Sequence, residues 1–205
     1  HTQFVAGKGY SHETRDTLTL AQLFSESDYV VDFSHASLVE EIITAAIDNP
    51  KPLVICTTGW DQEALTPKLK ELSGKAPLII ASNTSIGAIV QRYLVRKLAT
   101  ILGDEFDIDV HEKHHRFKVD SPSGTAISLV EEIQEGKRER GQEYELYYVG
   151  NSAREERQIG MSVQRAGSIV GEHDVSFTSL SEQIVIRHNS FDRALFAQGA
   201  IKALE

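Results

Sequence analysis

The densest chemistry in this chain lies in residues 111 to 126, HEKHHRFKVDSPSGTA. His111, His114 and His115 share this stretch with Lys113, Arg116 and Lys118, and with the acids Glu112 and Asp120. An imidazole can exchange a proton near neutral pH. A lysine adds fixed positive charge or a second proton. If residues 111 to 118 are extended, His114, Arg116 and Lys118 share one face and His115 takes the other. If the chain turns, His114 and Lys118 meet four residues apart. Ser121-Pro122-Ser123-Gly124-Thr125-Ala126 then leads into a helical segment. Pro122 disfavours helix at Ser121, Ser123 or Thr125 can cap the helix, and Gly124 lets a ligand approach the backbone. The free amides of a helix start attract carboxylate or phosphate. An empty N-cap uses the same residue types, and a polar surface loop would carry the same charges. The cluster beside the turn favours more: His114 and Lys118 can both reach an anion held at the Ser-Gly-Thr turn. Together they could clamp a dicarboxylate and protonate a carbon or nitrogen as charge develops.

Two other chemistries compete for the same stretch. His111, His114 and His115 are imidazoles that zinc could use. No cysteine lies nearby, no second histidine pair stands at ligand spacing, and Lys118 would repel a cation, so no metal is expected. Ser123 lacks the G-x-S-x-G elbow of a serine nucleophile.

The elements that must position this stretch follow from periodicity. Tyr29 to Phe33, Pro52 to Cys56 and Pro77 to Ala81 are short apolar runs that read as buried strands. They alternate with helical patterns over 37–48, 61–72 and 85–102. Such alternation indicates a parallel sheet covered on both faces, with ligands beyond the strands' carboxyl ends. The polar turns Ser34-His35-Ala36, Thr57-Thr58-Gly59 and Ser82-Asn83-Thr84-Ser85 lie there. Downstream, 106–110 reads as a strand with one wet face and 125–135 as a helix. Four further strands fall at 146–149, 159–164, 169–178 and 183–188, and a last helix at 192–204. The expected fold is α/β: a Rossmann-like parallel sheet plus an α+β unit with a mixed, mostly antiparallel sheet. The expected boundaries are 1–83 with 192–205 for the first unit and 84–191 for the second. The charge run 135–143 reads as a solvated helix end and loop. A dinucleotide-binding sheet usually opens on a strand and a G-x-G-x-x-G turn. Gly7-Lys8-Gly9 is followed by Tyr-Ser-His instead, so the chain begins downstream of that segment or lacks it.

Bulk properties narrow the class. A chain of 205 residues, 40% hydrophobic and 25% charged, suits a soluble globular protein. A net charge of −9 argues against a general nucleic-acid binder. No apolar run approaches the roughly 20 residues of a membrane span, and HTQFVAGKGY lacks a signal peptide's apolar core. With Cys56 alone no internal disulfide forms, and the cytoplasm is the expected compartment.

The sequence resembles the dihydrodipicolinate reductase family. The carrying motif is Glu112, His114-His115, Lys118, Asp120 and Pro122-Ser123-Gly124-Thr125-Ala126. Val31-Asp32-Phe33-Ser34, Thr57-Thr58-Gly59 and Ser82 to Gly87 are similar to the family's strand ends and turns. Arg165-Ala166-Gly167 with Ile169 to His173 is similar to its hairpin, and Ser190 to Arg193 with Phe196 and Gly199 to its return into the last helix. The resemblance implies reduction of a cyclic dicarboxylate, the dihydrodipicolinate synthase product, by NADH or NADPH on the diaminopimelate route to lysine. It implies His114 as proton donor or acceptor and Lys118 as proton donor and carboxylate contact. It implies His115, Ser123, Gly124, Thr125 and Thr58 against substrate, and Cys56, Thr57, Thr58, Ala81, Ser82, Asn83 and Thr84 on the nicotinamide side. A homotetramer joined through the second unit's sheet is also implied.

There are departures from the family pattern. Cys56 stands for a glycine, Thr84 for a frequent phenylalanine, and an Arg- and Gly-rich segment is degraded over Tyr148 to Arg154, where Arg154 fills the last position. The family pattern also leads to the expectation of a tail after the last helix. Two competing functions remain at this point: another nicotinamide oxidoreductase with a His/Lys pair, and a nucleotide- or dicarboxylate-binding module without turnover.

Overall fold

The computed structural model describes residues 19–150 and 152–204. Gly7-Lys8-Gly9 lies outside them. The chain forms two compact units, one running to Thr84 and resuming at Gln198, the other Ser85–Ala197.

In the first unit β1 (Val30–Asp32), β2 (Leu53–Ile55) and β3 (Leu78–Ile80) pair in parallel in that order. β2 is buried at all three positions, as a central strand covered on both faces must be. One face packs against Phe24 of α1 (Leu20–Glu26), Ile43 of α2 (Val39–Asp48) and Leu72 of α3 (Thr66–Ser73). The other carries Val54 and Cys56 against Ala200 of the last helix, α6 (Ala194–Lys202). Gly199 makes that contact possible, because a Cβ there would run into the Thr84 carbonyl.

Two helix starts differ from the periodicity. α3 begins at Thr66 rather than 61, with Pro67 in its first turn. A helix from 61 would place that proline inside, where it has no N–H to give and clashes with the preceding turn. Asp61 instead accepts the Ala64 N–H at 2.9 Å. α1 is too short for a periodic signal, yet Thr19-x-x-Gln22 is a capping box. Thr19 Oγ1 accepts from the Gln22 amide, and the Gln22 side chain accepts from the Thr19 amide.

The second unit is a five-stranded sheet in the order β5-β6-β4-β7-β8. Its strands are β4 (Asp107–His114), β5 (Glu145–Tyr148), β6 (Gln158–Arg165), β7 (Gly171–Thr178) and β8 (Gln183–Ser190). β4–β6 and β5–β6 are parallel, while β4–β7 and β7–β8 are antiparallel. α4 (Ile86–Ile101) and α5 (Gly124–Arg138) join a core with Ile108, Val110, Ile159, Met161, Val175 and Phe177. Burying each such side chain stabilises by roughly 1.5–3 kcal/mol.

The charge run at the end of α5 is not wholly solvated. Lys137 is fully buried. Its Nζ donates to the Leu102 carbonyl at 3.0 Å and lies 4.8 Å from the Tyr144 ring centre. The end of α4 leaves carbonyls unpaired and carries partial negative charge, so a buried ammonium is tolerated there. Gly136, one residue earlier, lets the helices touch: a Cβ would stand 2.5 Å from the Arg96 carbonyl oxygen and 2.9 Å from Ala99 Cβ. Neither neighbour is a flexible side-chain end. Gly136→Ala should therefore destabilise the second unit by about 1–3 kcal/mol. A lower urea midpoint with an unchanged slope, followed by circular dichroism, checks this.

Candidate active site

Alternate residues of a strand share a face, and the ladder shows what each meets. On the helix-covered face Ile108 lies beside Ile159 and Phe177, and Val110 beside Met161 and Val175. Two residues on, the face turns polar: Glu112 lies beside His173, which lies beside His188. His114 follows beside Arg165, and Gly171 pairs with Ser190. β4 thus extends past 110 because Glu112 and His114 occupy the buried positions that apolar residues held before them.

Glu112 has no exposed surface. Its Oε2 makes a short hydrogen bond with His114 Nδ1. Its Oε1 accepts from the Ser123 amide at 3.1 Å and from Arg165 Nη2 at 2.8 Å. Burial alone would raise its pKa, but the hydrogen bonds from His114, Arg165 and Ser123 outweigh that and pull the carboxyl down to about 2. An ionised carboxylate only accepts, so His114 Nδ1 carries a hydrogen and Nε2 is the atom free to exchange one. Nε2 faces Gly171, where an added Cβ would come within 3.1 Å. Arg165 also donates to the Asp120 carbonyl at 2.7 Å, which ties β6 to the turn before α5.

Ser123 is the N-cap of α5. Its Oγ accepts the Ala126 N–H at 3.2 Å and lies 3.1 Å from His173 Nε2. Burial, and next the neighbouring His114, push His173 down to about 4, so it is neutral near pH 7. Its ring sits edge-on to His114, 5.2 Å between centres. Gln91 of α4 donates to the His173 carbonyl at 2.8 Å and fixes the strand from behind.

Residues 115 to 118 turn rather than extend: the Lys118 amide donates to the His115 carbonyl at 3.1 Å. Lys118 Nζ pairs with Asp120 Oδ1 at 2.8 Å. His115 is lowered from its ordinary value, by burial first and then by Arg193, His114, Lys118 and Arg165. Positive charge therefore gathers beside the Ser123-Gly124-Thr125 helix start. His111 points to the opposite face, on Ser162, so His111, His114 and His115 do not converge. The trio that does is Glu112, His114 and His173, with one candidate ligand atom each, all within 4.8 Å of one another. Both Glu112 oxygens already accept hydrogen bonds, one from a guanidinium that would oppose a cation.

In the first unit the strand ends hold buried polar atoms without hydrogen-bond partners: Asp32 Oδ2, Ser34 Oγ and Thr57 Oγ1. Such atoms at the carboxyl ends of parallel strands fit the polar groups of a bound nucleotide. Thr58 and Ser82 are exposed, Ala81 and Asn83 half-buried, and Thr84 buried. The Cys56 side chain is buried among Val54 and Ala200. Burial, and next Asp32, push its thiol up to about 11.

The profile described as dihydrodipicolinate reductase, N-terminus, matches residues 3–84, and its C-terminal counterpart matches 87–205. The chain belongs to the dihydrodipicolinate reductase family. It is 39% identical over 206 aligned positions to a 4-hydroxy-tetrahydrodipicolinate reductase of Chlamydia felis, covering 100% of this chain and 82% of that one. It is 42% identical over 178 positions to the Clostridium tetani protein of the same name, covering 87% and 69%. Among solved structures, the fold is similar to a dipicolinate-bound dihydrodipicolinate reductase from Paenisporosarcina, with TM-score 0.70, 23% identity and coverage of 94% and 75%. A probable dehydrogenase from Thermotoga maritima shares the fold at TM-score 0.55 and 9% identity, covering 92% and 71%. The family is one of reductases that use NADH or NADPH, and its N-terminal nucleotide-binding part is present here.

Residue types and spacing single out His114, Lys118 and the Ser123 turn, but give no role to Glu112, Arg165, His173 or Gln91. Strand register brings these together, and register is invisible in a single segment. Of the strand-end residues, Asp32 has no role in the sequence pattern, and Ser34 enters only through the polar turn Ser34-His35-Ala36.

The neutral, buried His173 predicts a pH dependence. Its folded value, about 4, lies below the ordinary 6.5. The unfolded chain therefore binds a proton first as pH falls, and stability declines between those values by up to about 3 kcal/mol. Glu112 adds a further decline below its ordinary 4.5, toward about 2. Urea unfolding at stepped pH should show the first slope, and His173→Asn should flatten it while leaving the second.

Proposed function

We propose that this chain reduces 4-hydroxy-tetrahydrodipicolinate to tetrahydrodipicolinate with NADH or NADPH, on the diaminopimelate route to lysine. The single observation that carries the proposal is a buried carboxylate orienting His114 beside a capped helix start, in a chain matched by both family profiles. The nicotinamide cofactor supplies the hydride. The residues that would hold it are the 56–58 turn and residues 81 to 84, with Asp32 and Ser34 contributing the unpartnered atoms noted above.

This chain's side chains do the rest. The Gly124 and Thr125 amides and His115 take the substrate carboxylates, and Thr58 adds a contact. Lys118 turns from the exposed Asp120 to a carboxylate and supplies a second proton. The 4-hydroxyl leaves as water, and His114 gives its Nε2 proton to the π electron pair displaced when the ring carbon takes the hydride, which leaves a neutral imidazole. The working form proposed is a homotetramer, joined through the second unit's sheet, in the cytoplasm. None of the described helices is long and apolar enough to cross a membrane.

The test is turnover of synthase-generated substrate, followed by loss of NADH or NADPH absorbance. His114→Ala should lower kcat by roughly 10²–10⁴-fold. Removal of the Lys118 ammonium in Lys118→Met should raise KM and lower kcat together. Turnover absent from the parent protein, or unchanged in His114→Ala, sinks the proposal.

A further inference from the structure

We propose that Glu112 is a positioning residue that couples the protonating half of the site to its anion-holding half. One carboxylate oxygen selects the nitrogen of His114 that exchanges the proton, and the other holds the Ser123 amide at the entrance to α5. This rests on the reading that His114 protonates the substrate.

The geometry excludes a direct chemical role for the carboxylate. Glu112 is fully buried, and both oxygens are engaged within the fold. It touches neither substrate nor solvent and acts through the groups it binds. Its two oxygens divide the work. Oε2 meets only His114, while Oε1 receives the Ser123 amide and Arg165. Arg165 stays protonated and so favours the anionic state of Glu112. That state is what forces hydrogen onto Nδ1.

The proton balance follows. In the charged imidazolium both nitrogens carry hydrogen. The Nε2–H bond breaks with its electron pair kept on Nε2, and the proton joins the substrate π pair that the incoming hydride displaces. The Nδ1 hydrogen remains on its bond to Glu112. His114 is then neutral, in the tautomer that can be recharged at Nε2 alone.

The neighbours of His114 leave this task to Glu112. His173 from β7 is neutral and bonded to Ser123. Arg165 from β6 reaches Glu112, and His188 from β8 faces His173. Lys118, in the turn after β4, adds positive charge, and His115, lowered from its ordinary value, offers no anion. Among these groups Glu112 is the anion in contact with the ring.

Glu112→Gln separates the two functions. A glutamine oxygen can still accept from Ser123 and Arg165, while its NH2 now faces Nδ1 as a donor. The neutral tautomer should therefore reverse, with hydrogen moving to Nε2. Long-range nitrogen-15 NMR of the histidines should show His114 with hydrogen on Nδ1 in the parent protein and on Nε2 in the variant. With turnover, kcat should fall roughly 10²-fold or more while KM changes less than about threefold. Glu112→Ala should in addition raise KM, since the Ser123 amide loses its acceptor.

Each failure points to one idea. Hydrogen on Nε2 in the neutral parent protein overturns the positioning role without need of a variant. An unchanged kcat and tautomer in Glu112→Gln overturns it and leaves the reaction standing. No turnover in the parent protein overturns the reaction, and the tautomer measurement still decides Glu112.

Discussion

A carboxylate removed from water must receive from the protein the hydrogen bonds that water would have supplied. Glu112 is such a group, and the second unit is arranged around it. Its donors come from three places far apart in sequence: its own strand, the helix entrance eleven positions on, and β6. No donor can shift without leaving a buried charge short, which for a buried pair costs about 3–5 kcal/mol. The same demand fixes β4 against β6 and sets where the chain must be when α5 begins.

The sheet face explains how so polar a group can sit in a core. Its first two ranks of side chains are apolar and lie under α4 and α5; the next two contain acid, histidines and arginine. The apolar ranks provide the stability that the polar ranks draw on. Ser123 joins the regions, since one hydroxyl caps α5 and also meets His173. Neutral His173 keeps a second positive charge away from His114.

Much of this was legible in residue order. The three short apolar strands and their crossover helices stand in the structure, and Ser123 caps α5 as its type and place suggest. What stayed hidden was non-local. β4 looked finished at Val110 because Glu112 and His114 break the apolar alternation while keeping its geometry. The apparent zinc set around His111 fails on parity: three residues along a strand reverse the face. Lys137 looked solvated because its partners are carbonyls from another helix, about 35 residues back. The family motif located His114 and Lys118, but the ladder was needed to show which groups hold them. Pro67, by contrast, was visible in the sequence and marks the true start of α3.

Cys56 has a use that follows from its setting. The chain contains a single thiol, packed in the first unit's core and held protonated by burial. Alkylating reagents attack the thiolate, so the folded first unit shields the sulfur both from contact and from ionisation. Modification must wait for that unit to open locally. The rate of labelling at this one atom is thus an intrinsic clock for opening of the nucleotide-binding half, recorded without any engineered probe.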